Sequence, residues 1–486
     1  MPRRRIRRGA PRVVGDRVPR GLADGLVRQH GGDVRLPRQL DRLAQVHRVV
    51  RRPRDGHHRR AEHRARRRVP HRLLAALLPH RGRLMVARIA RATIGGAPRV
   101  IDLLRGGYST GAPPQPSATF AYGPINATHL SASGVSPRTY RLEHTALSSG
   151  SGVRLRFLNR HTTSTITVAS QVEATLLGTQ IAVTFGGAST VDIPAHGLAL
   201  SDVIPGLTLT SGAKFATRTR VSSSGQWVIG ERNVGGTGKG GAVTGDFLVG
   251  SIPASAEELF GPIAVTLDAP STVLKVVGII TDSFGAGWPV NAFEGAYPVL
   301  WMSQGGESAF SWLSPTWRQT EALDGLVGAT TVVEGYGTND RQAGRTSTQI
   351  TADRLAIWQA IRGRYPTVRI IAYTIAPRTT STDSFATTGS QTPIAGESHR
   401  VAVNAWLRDG APIIAGAVAA TGTTNPSALR AGQAGHPLHS VFDLADACES
   451  SRDSGVWTPG STTDGTHPGT SARTAIAAAF PYASLA

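Results

Sequence analysis

A chain of 486 residues with 40% hydrophobic content exceeds one ordinary domain and can bury more than one core. Its formal charge of +21 would ordinarily point to nucleic acid or an anionic surface. Residues 1–93, however, hold 27 arginines, no lysine and 6 acidic residues, which accounts for the whole excess and leaves the rest of the chain neutral.

Residues 1–93 read as RRRIRR, RRPRDGHHRR and RARRRVP without a sustained hydrophobic period. Three readings fit: a basic nucleic-acid-binding arm, a solvated disordered tail, or the translation of a GC-rich gene upstream of its true start, with Met85 as the alternative start. The expectation adopted is a disordered or mis-translated segment, with no nucleic-acid partner. The apolar run LLAALL at 73–78 is too short for a membrane helix, which needs ~20 residues, and it makes a poor export signal. No membrane partner is expected.

From 117 to 268 the composition shifts to Thr, Ser, Val and Gly, with alternating runs such as VRLRF at 153–157 and IAVTF at 181–185. Turn residues punctuate these runs at short spacing, which predicts an all-β sandwich. The run GGTGKGG at 235–241 lacks the Ser or Thr after Lys239 and the following helix that a phosphate-binding loop requires.

The pattern changes again at about 272. VLKVVGII at 273–280 is nearly all apolar, as a central parallel strand covered on both faces must be. Further strands are predicted at 297–302, 331–335 and 368–374, and helices at 351–365 and 398–408. A Gly/Pro-interrupted turn and an Ala-rich helix close the chain over 464–479. Alternation of strand and helix predicts an α/β domain over 272–486. Cys448 is the only cysteine, so an intrachain disulfide is excluded, and His436 and His439 near Asp443 lack further ligands at metal-binding spacing. No metal and no cofactor is expected.

Ser283 stands in TDSFGAG, directly after the first buried strand and therefore at the carboxyl edge of the predicted sheet, where open α/β folds bind ligands. Serine is a weak nucleophile unless a base removes its proton. Asp464, three residues before His467 in a tight turn, can accept the imidazole Nδ1–H and leave Nε2 to face a hydroxyl. Asn339 follows another predicted strand in GYGTND, and Gly305, Gly306 and Glu307 form a turn after a third. A backbone amide there and the Asn339 side chain are candidate donors to a developing oxyanion. Asp282 and Asp340 are expected to organise their loops.

Asp282, Ser283 and Gly287, then Gly306, then Gly337, Asn339 and Asp340, then Asp464 and His467 resemble, in order, the four signature blocks of the SGNH (GDSL) hydrolases. The resemblance covers roughly 272–486 and implies a flavodoxin-like three-layer α/β/α domain. It implies catalytic roles for Ser283, Asp464 and His467, and an oxyanion hole of the Ser283 and Gly306 amides with the Asn339 side chain; Gly305 is the alternative to Gly306. Thr281 replaces the glycine that usually opens the first block. The stretches RLRFLNRHTT, VTFGG and IPAHGLALS resemble the β-sandwich that precedes the hydrolase domain in some bacterial members.

The function expected is a serine esterase acting through an acyl-enzyme on short acyl esters, acetyl first, on a small molecule or an acylated carbohydrate. The β region would hold carbohydrate or shape the cleft. The rival is a non-catalytic carbohydrate-binding or phage-particle surface protein with a decayed hydrolase domain. An extracellular location follows from the resemblance alone, and the oligomeric state is left open.

Overall fold

The computed structural model describes residues 137–160, 163–231, 240–252, 258–293 and 295–485, with short strands at Arg91–Ile94, Ala97–Val100, Thr119–Tyr122 and Ala127–Leu130. It divides into a unit of residues 1–104 and a unit of residues 105–486. In the first, Arg91–Ile94 pairs antiparallel with Ala97–Val100. The remainder of the arginine-rich segment 1–93, and the run GGTGKGG up to Lys239, lie outside the described residues.

The second unit begins with antiparallel strands. Those of its two larger antiparallel sheets are β1 (Thr119–Tyr122), β2 (Arg138–Thr145), β3 (Gly150–Leu158), β4 (Ile166–Glu173), β5 (Gln180–Ala182), β6 (Val191–Ile193), β7 (Leu198–Leu200), β8 (Lys214–Ser222), β9 (Gly240–Thr244) and β10 (Ala264–Pro270). One sheet runs β7-β3-β10-β1; a second runs β9-β2-β8-β4-β5, with β6 also on β4. Alternation in the sequence turns one set of side chains inward. Val153, Leu155 and Phe157 from β3 thus join Ile166, Val168 and Phe215 from the other sheet in one buried cluster.

The chain then becomes parallel. Strands β11 (Val277–Thr281), β12 (Val299–Trp301), β13 (Thr331–Gly335), β14 (Arg369–Tyr373) and β15 (Ser440–Phe442) form one sheet in the order β12-β11-β13-β14-β15, all parallel. Helices α1 (Trp288–Phe293), α2 (Ala309–Leu313), α3 (Thr316–Gly325), α4 (Thr338–Gln342), α5 (Ser347–Arg364), α6 (Glu397–Arg408) and α7 (Thr470–Ala479) connect or follow the strands. Ile280, Val332 and Ile370 pack on the side of Trp312, Ile357, Trp358 and Trp406, whereas Ile279, Val333 and Ile371 pack on the side of Trp288, Phe293 and Ile476. Both faces are therefore covered, as the uninterrupted apolar runs require.

The long helix α5 starts four residues before its predicted position because Thr346 caps it. The Thr346 hydroxyl accepts from the Gln349 amide, and Gln349 Oε1 accepts from the Thr346 amide at 2.9 Å. Its inward face carries Ile350, Ile357, Trp358 and Ile361, and the Trp358 ring stacks on Trp406 of α6 at 5.5 Å. Glu334, fully buried in β13, is paired from the same helix with Arg354, whose Nε and Nη2 donate at 3.1 and 2.9 Å, and accepts the Trp358 indole N–H at 2.7 Å.

At the end of β13 the backbone passes so close to a ring that only glycine fits. A methyl group on Gly335 would sit 1.7 Å from Tyr373 Cζ. Gly335→Ala is expected to destabilise the fold by roughly 2–3 kcal/mol, the range of buried overpacking. Urea unfolding midpoints at unchanged slope would measure it; an unshifted midpoint would contradict the packing described.

Candidate active site

Because all five strands are parallel, their carboxyl ends share one edge of the sheet. β11 ends there in Thr281. Asp282 follows and its Oδ1 accepts the Phe284 amide at 2.9 Å, capping the short 3-10 turn Ser283–Ala286. This turn lifts Ser283 out of the strand, half-buried.

Ser283 Oγ lies 2.7 Å from His467 Nε2, and His467 Nδ1 lies 2.7 Å from Asp464 Oδ2. An ionised carboxylate can only accept, so Nδ1 carries the proton and Nε2 is left to receive the serine hydroxyl. The turn holding this pair is tightly built. Asp464 Oδ1 accepts the His467 and Thr466 amides at 2.7 and 2.8 Å, and the Thr462 hydroxyl donates to the His467 carbonyl at 2.8 Å. Gly465 adopts φ +72°, and a Cβ there would lie 2.0 Å from the Thr379 carbonyl oxygen. Burial pushes the Asp464 carboxyl up, but the hydrogen bonds from the His467 ring and from the His467 and Thr466 amides outweigh it and hold the group down at about 2.

Asn339 opens α4 just beyond β13. Its Nδ2 donates to the Glu307 carbonyl at 3.0 Å and to Asp282 Oδ2 at 3.1 Å. One amide therefore joins the strand ends that carry Ser283 and Gly306. The turn around Gly306 is pinned to the same edge, with the Gln304 amide donating to the Thr281 carbonyl and the Glu307 amide to the Gln304 carbonyl, both at 3.1 Å. Gly306, at φ +76°, is exposed at its apex. Asp340 accepts the first amides of α2, from Ala309 at 2.9 Å and Phe310 at 3.3 Å, so it orders the helix that leaves this turn.

The structure thus gathers Ser283, His467 and Asp464 into one hydrogen-bonded chain and links Asn339 to the turn of Gly306 through Glu307 and to Asp282. One point differs from the simplest expectation. Both Asn339 Nδ2 hydrogens already have acceptors, so to serve an incoming oxyanion the side chain must exchange one of these bonds.

Thr281, the departure in the first block, is also accounted for. Its hydroxyl donates to the Gly335 carbonyl at 2.7 Å and meets the Tyr373 hydroxyl at 2.5 Å. The ring of Tyr373 occupies the space that Gly335 leaves open. Thr281, Gly335 and Tyr373 form one buried set, and nothing in the sequence around Thr281 signalled that its partner lies 92 residues away. His436 and His439, by contrast, line an 850 Å³ groove with Arg362 and Arg369, at the amino end of β14 and away from Ser283. Among the described residues no group of three or more His, Cys, Asp or Glu could hold a metal ion.

No protein-family model and no curated protein matches the sequence. Solved structures similar to it include a carbohydrate esterase family 3 protein from Talaromyces cellulolyticus, at 16% identity over 42% of this chain and 93% of that one, with a TM-score of 0.28. A peptidoglycan O-acetylesterase matches at 11% identity over 74% and 80% of the two chains, TM-score 0.31. An acetyl esterase matches at 16% identity over 43% and 96%, TM-score 0.27.

The fully buried Asp282 carboxyl titrates in this site. Burial raises it; the Phe284 amide opposes that, the Asp340 and Glu307 carboxylates add to it, and the group is pushed up to about 7. A carboxyl raised on folding stabilises fully below its unfolded value of about 3.9 and loses that contribution as pH rises toward 7, at up to about 1.4 kcal/mol per pH unit. Asp282→Asn, which cannot titrate, is therefore expected to gain stability relative to the parent between pH 4.5 and 7.5. Parallel urea unfolding at the two pH values measures the difference; a constant offset would show that Asp282 is ionised throughout.

Proposed function

We propose that residues 272–486 form an SGNH-type serine ester hydrolase with a flavodoxin-like three-layer α/β/α fold, preceded over 117–268 by an accessory β-sandwich. The observation that carries this reading is the unbroken chain Ser283 Oγ, His467 Nε2, His467 Nδ1, Asp464 Oδ2, with both contacts at 2.7 Å. Such a chain makes a hydroxyl nucleophilic without a metal or an organic cofactor.

In the proposed mechanism His467 takes the hydroxyl proton as Ser283 Oγ attacks the ester carbonyl. The resulting imidazolium is stabilised by Asp464, which its hydrogen bonds keep ionised at any pH well above about 2. The Ser283 and Gly306 amides and the Asn339 side chain receive the oxyanion. His467 then returns the proton to the departing alcohol, and a water molecule, activated the same way, releases the acid from the acyl-enzyme. The substrate class proposed is short acyl esters, acetyl first, free or carried on carbohydrate. The resemblance of the four blocks supports the chemistry. A decayed, binding-only site would have no need of the relay.

Hydrolysis of p-nitrophenyl acetate by the chain, beside Ser283→Ala, tests the reading. Loss of roughly a thousandfold or more in kcat/KM is expected in the variant. Equal rates in the two proteins would remove Ser283 from the chemistry. Absence of hydrolysis in both, with short esters of sugars included, would favour the binding-only alternative. Asn339→Ala is expected to lower kcat by roughly 100- to 1000-fold with little change in KM, since its amide acts on charge that exists only in the transition state. A KM effect with kcat preserved would place Asn339 in substrate binding instead.

A further inference from the structure

Arg160 follows β3 in the antiparallel region, and its side chain is only 5% exposed. A guanidinium keeps its charge at any ordinary pH, so a buried one must find carboxylates and carbonyls. Arg160 Nε donates to Glu321 Oε1 at 3.0 Å and Nη2 to the Ser303 carbonyl at 3.1 Å. Glu321, on α3, is buried as well. The same Oε1 accepts from Arg318 Nη1 at 3.3 Å, while Oε2 lies 3.0 Å from Nδ1 of His196, whose ring stacks on Trp317 at 4.3 Å.

Arg318 continues the chain toward the site. It grips Glu307 through Nε at 2.6 Å and Nη2 at 2.9 Å, and Nη2 also donates to the Met302 carbonyl at 2.6 Å. The Tyr336 hydroxyl donates to Glu307 Oε2 at 2.5 Å. Arg160, Glu321, Arg318 and Glu307 therefore alternate in charge, two cations against two anions. Between them they hold residues 302, 303 and 307, which bracket the turn of Gly306. The Glu307 carbonyl is where Asn339 donates.

We infer that Arg160 is a positioning residue: acting through Glu321 and Arg318, it sets the turn that presents the Gly306 amide and the Asn339 side chain to substrate. The antiparallel region thereby takes part in assembling the oxyanion site. The inference rests on the reading of that turn and Asn339 as the oxyanion donors. Its physical basis is charge balance. Without Arg160, Arg318 is the remaining arginine for two buried carboxylates. Its pull toward Glu321 then competes with its grip on Glu307 and Met302.

The test uses the full chain with two readouts: hydrogen exchange at the Gln304 and Glu307 amides, and kcat and KM for p-nitrophenyl acetate. Arg160→Met is expected to speed exchange at those amides about tenfold or more and to lower kcat roughly 10- to 100-fold, with KM within about twofold. Arg160→Lys, which keeps the charge but not the fork, should recover part of both. Glu321→Gln, which keeps the shape of the side chain, should move both readouts in the same direction and serves if Arg160→Met does not fold. Unchanged exchange in Arg160→Met beside a Ser283-dependent wild-type activity would overturn the inference and leave the hydrolase reading intact. So would an equal fall in kcat from Ile357→Val, a change in the remote core. A turn that loosens in a protein that hydrolyses no ester would support the positioning link and remove the hydrolase reading.

Discussion

A parallel sheet covered on both faces dictates most of what lies around Ser283. Each strand must be followed by a connection that crosses back over one face, so every strand points its carboxyl end to the same edge. Residues far apart in sequence meet there without any one loop spanning the distance. Ser283 follows β11, the turn of Gly306 follows β12 and Asn339 follows β13. The order β12-β11-β13 places these three strands side by side. The Asn339 amide then closes the arrangement with one donor on each neighbour, at 3.0 and 3.1 Å. The strand order comes first, and the side-chain contacts depend on it.

Covering both faces has a consequence for charge. Loops at a buried edge carry polar groups into surroundings of low dielectric, where each must be matched or neutralised. Glu334 is matched by Arg354 and the Trp358 indole, and Glu307 by Arg318 and Tyr336. Asp282 has Phe284 and Asn339 but no arginine hydrogen-bonded to it, and it responds by holding its proton up to about 7.

Local patterns made much of this legible from sequence. The apolar run ending at Ile280 and the spacing of Asp464 and His467 each depend on residues within one turn or strand, so strands β11 to β14, the body of α5, α6 and the histidine turn could be anticipated, whereas β15 could not. The short helices α1, α2 and α3 could not. α1 and α2 hold only 6 and 5 residues, too few for a period to register, and α2, capped locally by Ser308, is also held by Asp340 from 31 residues away. The four blocks pointed to Ser283, Gly306, Asn339, Asp464 and His467, but not to what supports them. Arg160 and Glu321 stand 161 residues apart, and Thr281 and Tyr373 stand 92 apart. Partners at such separation leave no local trace. Thr281 therefore looked like a defect in the first block, although Tyr373 and Gly335 are shaped to receive it.

The site is thus supported from two independent directions. The histidine side depends on a self-contained turn: Asp464 is half exposed, and its low pKa comes from hydrogen bonds made within three residues rather than from burial. The side proposed to receive the oxyanion is tied to a buried ionic chain that reaches Arg160 in the antiparallel region. The two adjoin at Asp282 and Ser283. In the proposed mechanism proton transfer draws on the first and charge stabilisation on the second. That separation explains how a local turn at the end of the chain and a long-range contact from residue 160 can serve the same serine.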